Sequence, residues 1–253
     1  MRSSSTIRLL TQYSLIAVIL ASGCFFLGRA ALERVSIPAV PAAAESVSDD
    51  APNPLLVIDP GHGGEDGGAS AGDVLEKDLN LAVSQRIADL CSLFGVPAAV
   101  TRTEDVLLYD YYHDLENYRG KQKTYDLKNR LRFAEESGAA VFLSVHMNQF
   151  PQVSCRGMQV YYSPNTDASE ELAARIRTSA RLRLDPANER ECKRATDAIY
   201  LLHRIRIPAV LVECGFLSNP DERALLTDPA YQQQIAAAVT VPVMEFLARQ
   251  GER

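Results

Sequence analysis

The chain has 253 residues, 23% of them charged and 47% apolar, with 14 Gly, 13 Pro, 5 Cys and no Trp. These proportions exclude a collagen-like, disordered or disulfide-dense chain. Its 32 acidic and 26 basic residues leave a formal charge of −6. That balance speaks against nucleic acid as the partner, because binding phosphates requires a surplus of Lys and Arg.

Arg2 and Arg8 precede an apolar run from Leu15 to Leu27, shorter than the ~20 residues that a full membrane span needs. Residues 1–32 are therefore expected to be a signal peptide or a signal anchor, with residues 9–32 as the membrane anchor if the segment is retained. Ala42-Ala43-Ala44 offers the small residues of a cleavage site. Ala21-Ser22-Gly23-Cys24 is like a lipoprotein box, but Phe25-Phe26-Leu27 continues the apolar run past the cysteine, against lipidation. Residues 33–53, with Pro38, Pro41, Pro52 and Asp49-Asp50, have linker composition. The folded part is expected over residues 54–250, outside the cytoplasm. Cys91 falls on an apolar helix face and is expected in the core. Cys155 and Cys192 lie in polar surroundings, and their spacing leaves a disulfide between them open.

Leu55-Leu56-Val57-Ile58 is a wholly apolar run that stops at Asp59-Pro60-Gly61, as a buried strand does, and it delivers His62 at its end. Leu79, Val83, Ile87 and Leu90 then recur at helical spacing from Glu76 onwards, so Glu76 opens a helix. Ala98-Ala99-Val100 reads as a strand, and Asp126 as the cap of a helix that carries Leu127, Leu131 and Ala134. The run 140–145 predicts a strand ending at His146. A strand over 157–162, a helix over 168–184, a buried strand over 209–212 ending at Glu213, and a helix over 231–248 complete the chain. This alternation predicts an α/β single-domain sandwich, a mixed and largely parallel central sheet flanked by helices on both faces. Ligands of such sheets bind at the carboxyl ends of the strands.

His62, His146 and Glu213 each follow an apolar run, and Glu76 opens a helix, so four reactive groups are expected on one rim. Two imidazoles and a carboxylate, His62, Glu76 and His146, form a His₂Glu set that leaves tetrahedral Zn²⁺ an open position for water. Glycines at 61, 63, 64, 67 and 68 let the backbone fold closely around His62, and Asp66 is placed to orient a ligand from behind. Glu213 is the expected catalytic general base and acid for amide hydrolysis. Taken singly, a histidine is more often a hydrogen-bonded structural residue, and a glutamate at a helix start needs no further reason than the dipole. His113 and His203 lack such placement and are read as surface or structural. The G-x-S-x-G spelling at residues 68–72 follows no strand, so no serine sits in a nucleophile elbow, and no H-E-x-x-H occurs, nor any P-loop or G-x-G-x-x-G after a strand.

Ile58-Asp59-Pro60-Gly61-His62-Gly63-Gly64, Glu76-Lys77-Asp78, Ser144-Val145-His146-Met147-Asn148 and Val212-Glu213-Cys214-Gly215-Phe216-Leu217-Ser218-Asn219 together resemble the zinc-dependent N-acetylmuramoyl-L-alanine amidases. The resemblance spans Leu55 to about Leu247. It implies zinc on His62, Glu76 and His146, catalysis by Glu213, and peptidoglycan with its stem peptide as substrate. The bond implied is the amide between the lactyl group of N-acetylmuramic acid and L-alanine. Asn148 and Arg102 stand beside motif residues and are weaker candidates for supporting the site.

A polar stretch with Tyr109, Tyr111, Tyr112, Tyr118, Gly120, Lys121 and Lys123 is similar to the insertion of the germination-specific, spore-cortex subgroup. That similarity implies action on cortex peptidoglycan, ahead of muramic-δ-lactam formation, and leaves room for an activating protein partner. Stacking of Tyr111 and Tyr112 on sugar faces is expected if the stretch binds glycan, local packing if it is an ordinary loop. The alternatives are a vegetative amidase for cell separation, a zinc peptidase acting within the stem peptide, and a non-catalytic wall-binding protein.

Overall fold

The computed structural model describes residues 56–113 and 120–251. The expected signal segment, the linker, Cys24 and Tyr118 lie outside the described residues. In chain order the elements are β1 (Leu56–Pro60), β2 (Ser70–Ala71), β3 (Val74–Leu75), α1 (Glu76–Leu93), β4 (Ala98–Val100), α2 (Gln122–Glu136) and β5 (Val141–Asn148). There follow β6 (Gln159–Tyr162), α3 (Asp167–Arg183), β7 (Lys193–Arg194), α4 (Tyr200–Arg204), β8 (Ala209–Phe216), α5 (Pro220–Leu226) and α6 (Pro229–Gly251).

Six strands form one sheet in the order β4-β1-β5-β8-β6-β7. The first four run parallel, while β6 pairs antiparallel with β8 and carries β7 parallel to itself. The sheet is thus mixed and largely parallel, as the alternation of elements predicts. Because side chains alternate across a strand, the apolar runs divide between two cores. Leu56, Ile58, Leu143, Val210 and Val212 face Leu79, Val83 and Ile87 of α1, Ile176 of α3 and Val239 and Phe246 of α6. Val57, Phe142, Ala209 and Leu211 face Ala134 of α2 and Leu201 and Leu202 of α4. Helices therefore cover both faces. Among the described residues no helix is long and apolar enough to cross a membrane.

Several expectations are corrected. Asp126 is not a helix cap: α2 begins at Gln122 after Lys121, with no side-chain cap. Asp126 lies buried one turn inside, accepting from the Leu108 amide at 2.7 Å and pairing with Arg130 Nε at 2.8 Å. The strands do not stop at His146 and Glu213 but run through them, to Asn148 and Phe216. Polar side chains interrupt the apolar pattern there because that end of the sheet carries His146 and Glu213, while the backbone ladder continues. Cys155 and Cys192 are separate thiols, half-buried, and Cys91 is in the core as expected.

Tyr111 and Tyr112 of the polar stretch pack locally. Tyr111 and Tyr112 meet edge to face at 5.0 Å, Tyr111 meets Phe133 at 5.8 Å, and the Arg132 guanidinium lies 3.8 Å over the Tyr112 ring. Lys123, near the start of α2, reaches Asp66 beside His62 at 3.2 Å. Arg132 and Phe133 lie roughly 14 Å further along that helix than Lys123, at 1.5 Å per residue. Both rings are engaged with neighbouring side chains, which favours local packing over a sugar platform. Tyr112→Ala is expected to lower stability by about 1–3 kcal/mol in denaturant unfolding and to leave KM on intact glycan unchanged. A raised KM at parent stability would restore the sugar-binding reading.

Candidate metal centre

After β1 the chain turns at Gly61 and places His62 in the left-handed region, at φ 63°. Gly61 is required by contact: a Cβ there would lie 2.1 Å from His146 Cε1. Gly68, at φ +67°, is required twice over, since a Cβ would fall 2.5 Å from Glu76 Oε2 and 2.7 Å from His62 Cδ2. The short hairpin of β2 and β3 returns the chain to the rim, so that α1 starts on Glu76.

Glu76 sits between the two imidazoles. Its Oε1 lies 3.2 Å from His62 Nε2 and 2.9 Å from His146 Nδ1, and accepts from the Met147 amide at 3.2 Å and Asn80 Nδ2 at 3.3 Å. Its Oε2 accepts from the Ala69 amide at 2.7 Å. Burial alone would raise this carboxyl, but the hydrogen bonds and charge of His146 and His62 outweigh it and hold it well below the usual carboxylate range. Burial pulls His62 down, and Glu76 and Asp66 more than offset this, so its pKa is raised. Asp66 Oδ2 is 2.9 Å from His62 Nδ1, on the ring edge away from Glu76. Asp66 thus fixes the ring's orientation from behind.

Glu213 is brought to the same place by strand register. His146 on β5 and Glu213 on β8 are direct partners, so both side chains leave the same face of the sheet on adjacent strands. Burial pushes the Glu213 carboxyl up to about 7. Its Oε2 is buried with no hydrogen-bond partner among the described residues. An unpartnered buried carboxylate oxygen beside three potential ligands is costly in a merely structural role.

The residues fit a small dication. One donor atom from each of His62, Glu76 and His146 falls within 4.8 Å of the other two. The two short separations, 3.2 and 2.9 Å, are close to the edge of a tetrahedron with bonds of 2.0–2.1 Å, about 3.3 Å. Two imidazoles and a carboxylate also match the donor preferences of such ions.

His113 and His203 are exposed and stand apart from the centre. Asn148 closes β5, its carbonyl accepting from the Leu217 amide at 2.8 Å. Arg102 is buried and donates to four backbone carbonyls around the centre, those of Pro60, Gly61, Lys77 and Glu104. Sequence reading missed Asp59, Asn80 and Arg130. A carboxylate closing an apolar strand and an Asp126–Arg130 pair at helical spacing were the available signals.

Comparison with known proteins gives the family. Residues 56–244 match the family model described as N-acetylmuramoyl-L-alanine amidase. The chain is 34% identical over 200 residues to the germination-specific N-acetylmuramoyl-L-alanine amidase of Bacillus subtilis (strain 168), covering 78% of this chain and 81% of that protein. The CwlD amidase of Clostridioides difficile, solved in complex with the GerS lipoprotein, superposes with a TM-score of 0.70 at 37% identity, over 76% of this chain and 98% of that one. The AmiC2 amidase of Nostoc punctiforme gives 0.65 at 30% identity, over 78% and 99%. The matched segment contains His62, Glu76, His146, Glu213 and the whole sheet that brings them together, and the chain belongs to the N-acetylmuramoyl-L-alanine amidase family.

Proposed function

We propose that the chain is a zinc-dependent amidase that cleaves the bond between the lactyl group of N-acetylmuramic acid and L-alanine in spore-cortex peptidoglycan. The observation that carries the reading is the register pairing of His146 with Glu213 beside His62 and Glu76. His62, Glu76 and His146 would hold the ion, with Asp66 fixing the His62 tautomer. Bound there, zinc supplies the charge that polarises the scissile carbonyl and acidifies water near neutral pH.

Glu213 takes the proton of the attacking water on its unpartnered oxygen and returns it to the leaving amide nitrogen, so that the departing stem peptide carries a neutral amine. Burial raises this carboxyl above the ordinary carboxylate range, which strengthens it as a base towards the water's proton. The complete set of four residues argues against a wall-binding protein with a decayed site.

The germination-specific relative and the CwlD neighbour support the cortex as the target, with action outside the cytoplasm, where peptidoglycan lies. The neighbour's complex with a lipoprotein supports an accessory protein for this chain as well. Residues 54–250 are proposed as the catalytic unit, and 1–32 as the export signal or anchor.

Mass spectrometry of stem-peptide-bearing peptidoglycan, treated with the full chain with zinc or with chelator, tests the bond. Intact peptides beginning at L-alanine, absent under chelator, are expected. Shortened peptides with the remainder still on muramic acid would replace the amidase with a peptidase. Spores of a deletion strain should lack muramic-δ-lactam in the cortex; lactam at parental levels would assign the enzyme to vegetative wall instead.

A further inference from the structure

Pro60, Gly61 and His62 leave the sheet with their carbonyls turned towards two buried guanidiniums. Arg130, from α2, donates through Nη1 to the Pro60 carbonyl at 2.8 Å and through Nη2 to the His62 carbonyl at 2.6 Å. Arg102, just beyond β4, donates through Nε to the Pro60 carbonyl at 3.0 Å and through Nη2 to the carbonyls of Gly61 at 3.0 Å and Lys77 at 2.9 Å. Arg130 and Arg102 are only 1% and 3% exposed. Every carbonyl that leads into and out of the left-handed His62 is thereby held.

The charges are balanced behind the loop. Arg130 pairs with Asp59 Oδ1 at 2.7 Å and Asp126 Oδ2 at 2.8 Å, both buried. Asp59 is itself fixed by Thr101 Oγ1 at 2.7 Å and Ser144 Oγ at 2.8 Å. Two arginines with two aspartates carry no net charge, so the group does not repel a cation. A non-glycine residue in the left-handed region persists only where its surroundings over-determine it, and here two guanidiniums do so. Arg102 grips Lys77, the residue after Glu76, with the nitrogen that grips Gly61. Asn80 repeats the link, donating to the Gly61 carbonyl at 3.1 Å and to Glu76 Oε1 at 3.3 Å. The His62 loop and the Glu76 turn are therefore held by the same side chains.

We propose that Arg130 and Arg102 are positioning residues, a two-arginine clamp that presets the His62 backbone and its spacing from Glu76 before a metal ion arrives. The inference rests on the assignment of His62, Glu76 and His146 as ligands. Only a planar fork serves Asp59, Asp126 and two carbonyls together, and a lysine ammonium has one nitrogen for all four.

The test is titration of the metal-free full chain with Co²⁺, read by its visible absorption, in the parent, Arg130→Lys, Arg102→Gln and His62→Ala. The clamp predicts cobalt affinity lowered roughly 10–100-fold in both arginine variants, with an altered absorption band. The Gly63 amide, which donates to Asp66 O at 3.0 Å, should exchange with solvent faster while amides of β1 and β5 keep parent rates. Parent affinity and spectrum in both variants would overturn the clamp, even if their melting temperatures fall. Should Arg130→Lys fail to fold, Arg102→Gln decides alone, and parent affinity there overturns the proposal. His62→Ala binding cobalt with the parent spectrum would instead overturn the ligand assignment, which separates the two failures.

Discussion

Glu213→Gln is expected to leave the chain folded and able to bind metal while lowering kcat by roughly 10²–10⁴-fold, the usual contribution of a positioned proton carrier. The amide is nearly isosteric with the carboxyl and removes no ligand, so a metal titration should match the parent. The pH profile supplies a second readout. Glu213 acts as a base only when deprotonated, so kcat/KM must fall as pH drops through its pKa, which burial raises to about 7 in the metal-free protein. A bound cation favours the carboxylate and moves this limb towards the ordinary range, and in the variant the limb should vanish. Stability runs the other way. A carboxyl whose pKa is raised on folding favours the fold while protonated, and that contribution is lost as pH rises from the usual range to about 7. The metal-free variant should therefore melt above the metal-free parent at pH 8. An unchanged kcat would remove Glu213 from the mechanism, and a lower melting temperature would show that the buried oxygen is satisfied after all.

How much of this was legible in the sequence depended on where each partner lies. His62, His146 and Glu213 each follow an apolar run, and four groups on one rim is a pattern that a single chain reveals. The strand ends were misplaced at His146 and Glu213 because a strand whose last residues carry the site changes from apolar to polar without losing its hydrogen bonds. Their register partnership could not be read, since it depends on which strands become neighbours. Asp126 looked like a cap because Asp before an apolar run is the common N-terminal signal. Its actual partners, Arg130 and the Leu108 amide, are set by tertiary contact. The same holds for Arg130 itself, 71 residues from Asp59 in sequence. Tyr111 and Tyr112 were ambiguous for another reason: the ring that stacks on a sugar and the ring that stacks on Arg132 have the same composition.

Removing the carboxylate between the imidazoles should have the largest effect on metal binding. Glu76→Gln is expected to abolish turnover at stoichiometric zinc and to remove the stabilisation that the ion confers on the fold. The parent, saturated about 1,000-fold above its dissociation constant, should gain about 4 kcal/mol, or roughly 10 °C in melting temperature for a domain of this size. Addition of chelator should reverse that gain in the parent and change nothing in the variant. Comparing each protein with itself matters here, because the substitution also lowers the baseline. Glu76 accepts at Oε1 from Asn80 and the Met147 amide and at Oε2 from the Ala69 amide, so a glutamine leaves its own NH₂ facing at least one donor in a buried site. A merely structural Glu76 would show that baseline loss alone, with the parent's response to chelator intact. A ligand would show both, and Asp66→Asn, which keeps a hydrogen-bonding group beside His62 but loses the charge, should show a smaller chelator shift than the parent and a larger one than Glu76→Gln.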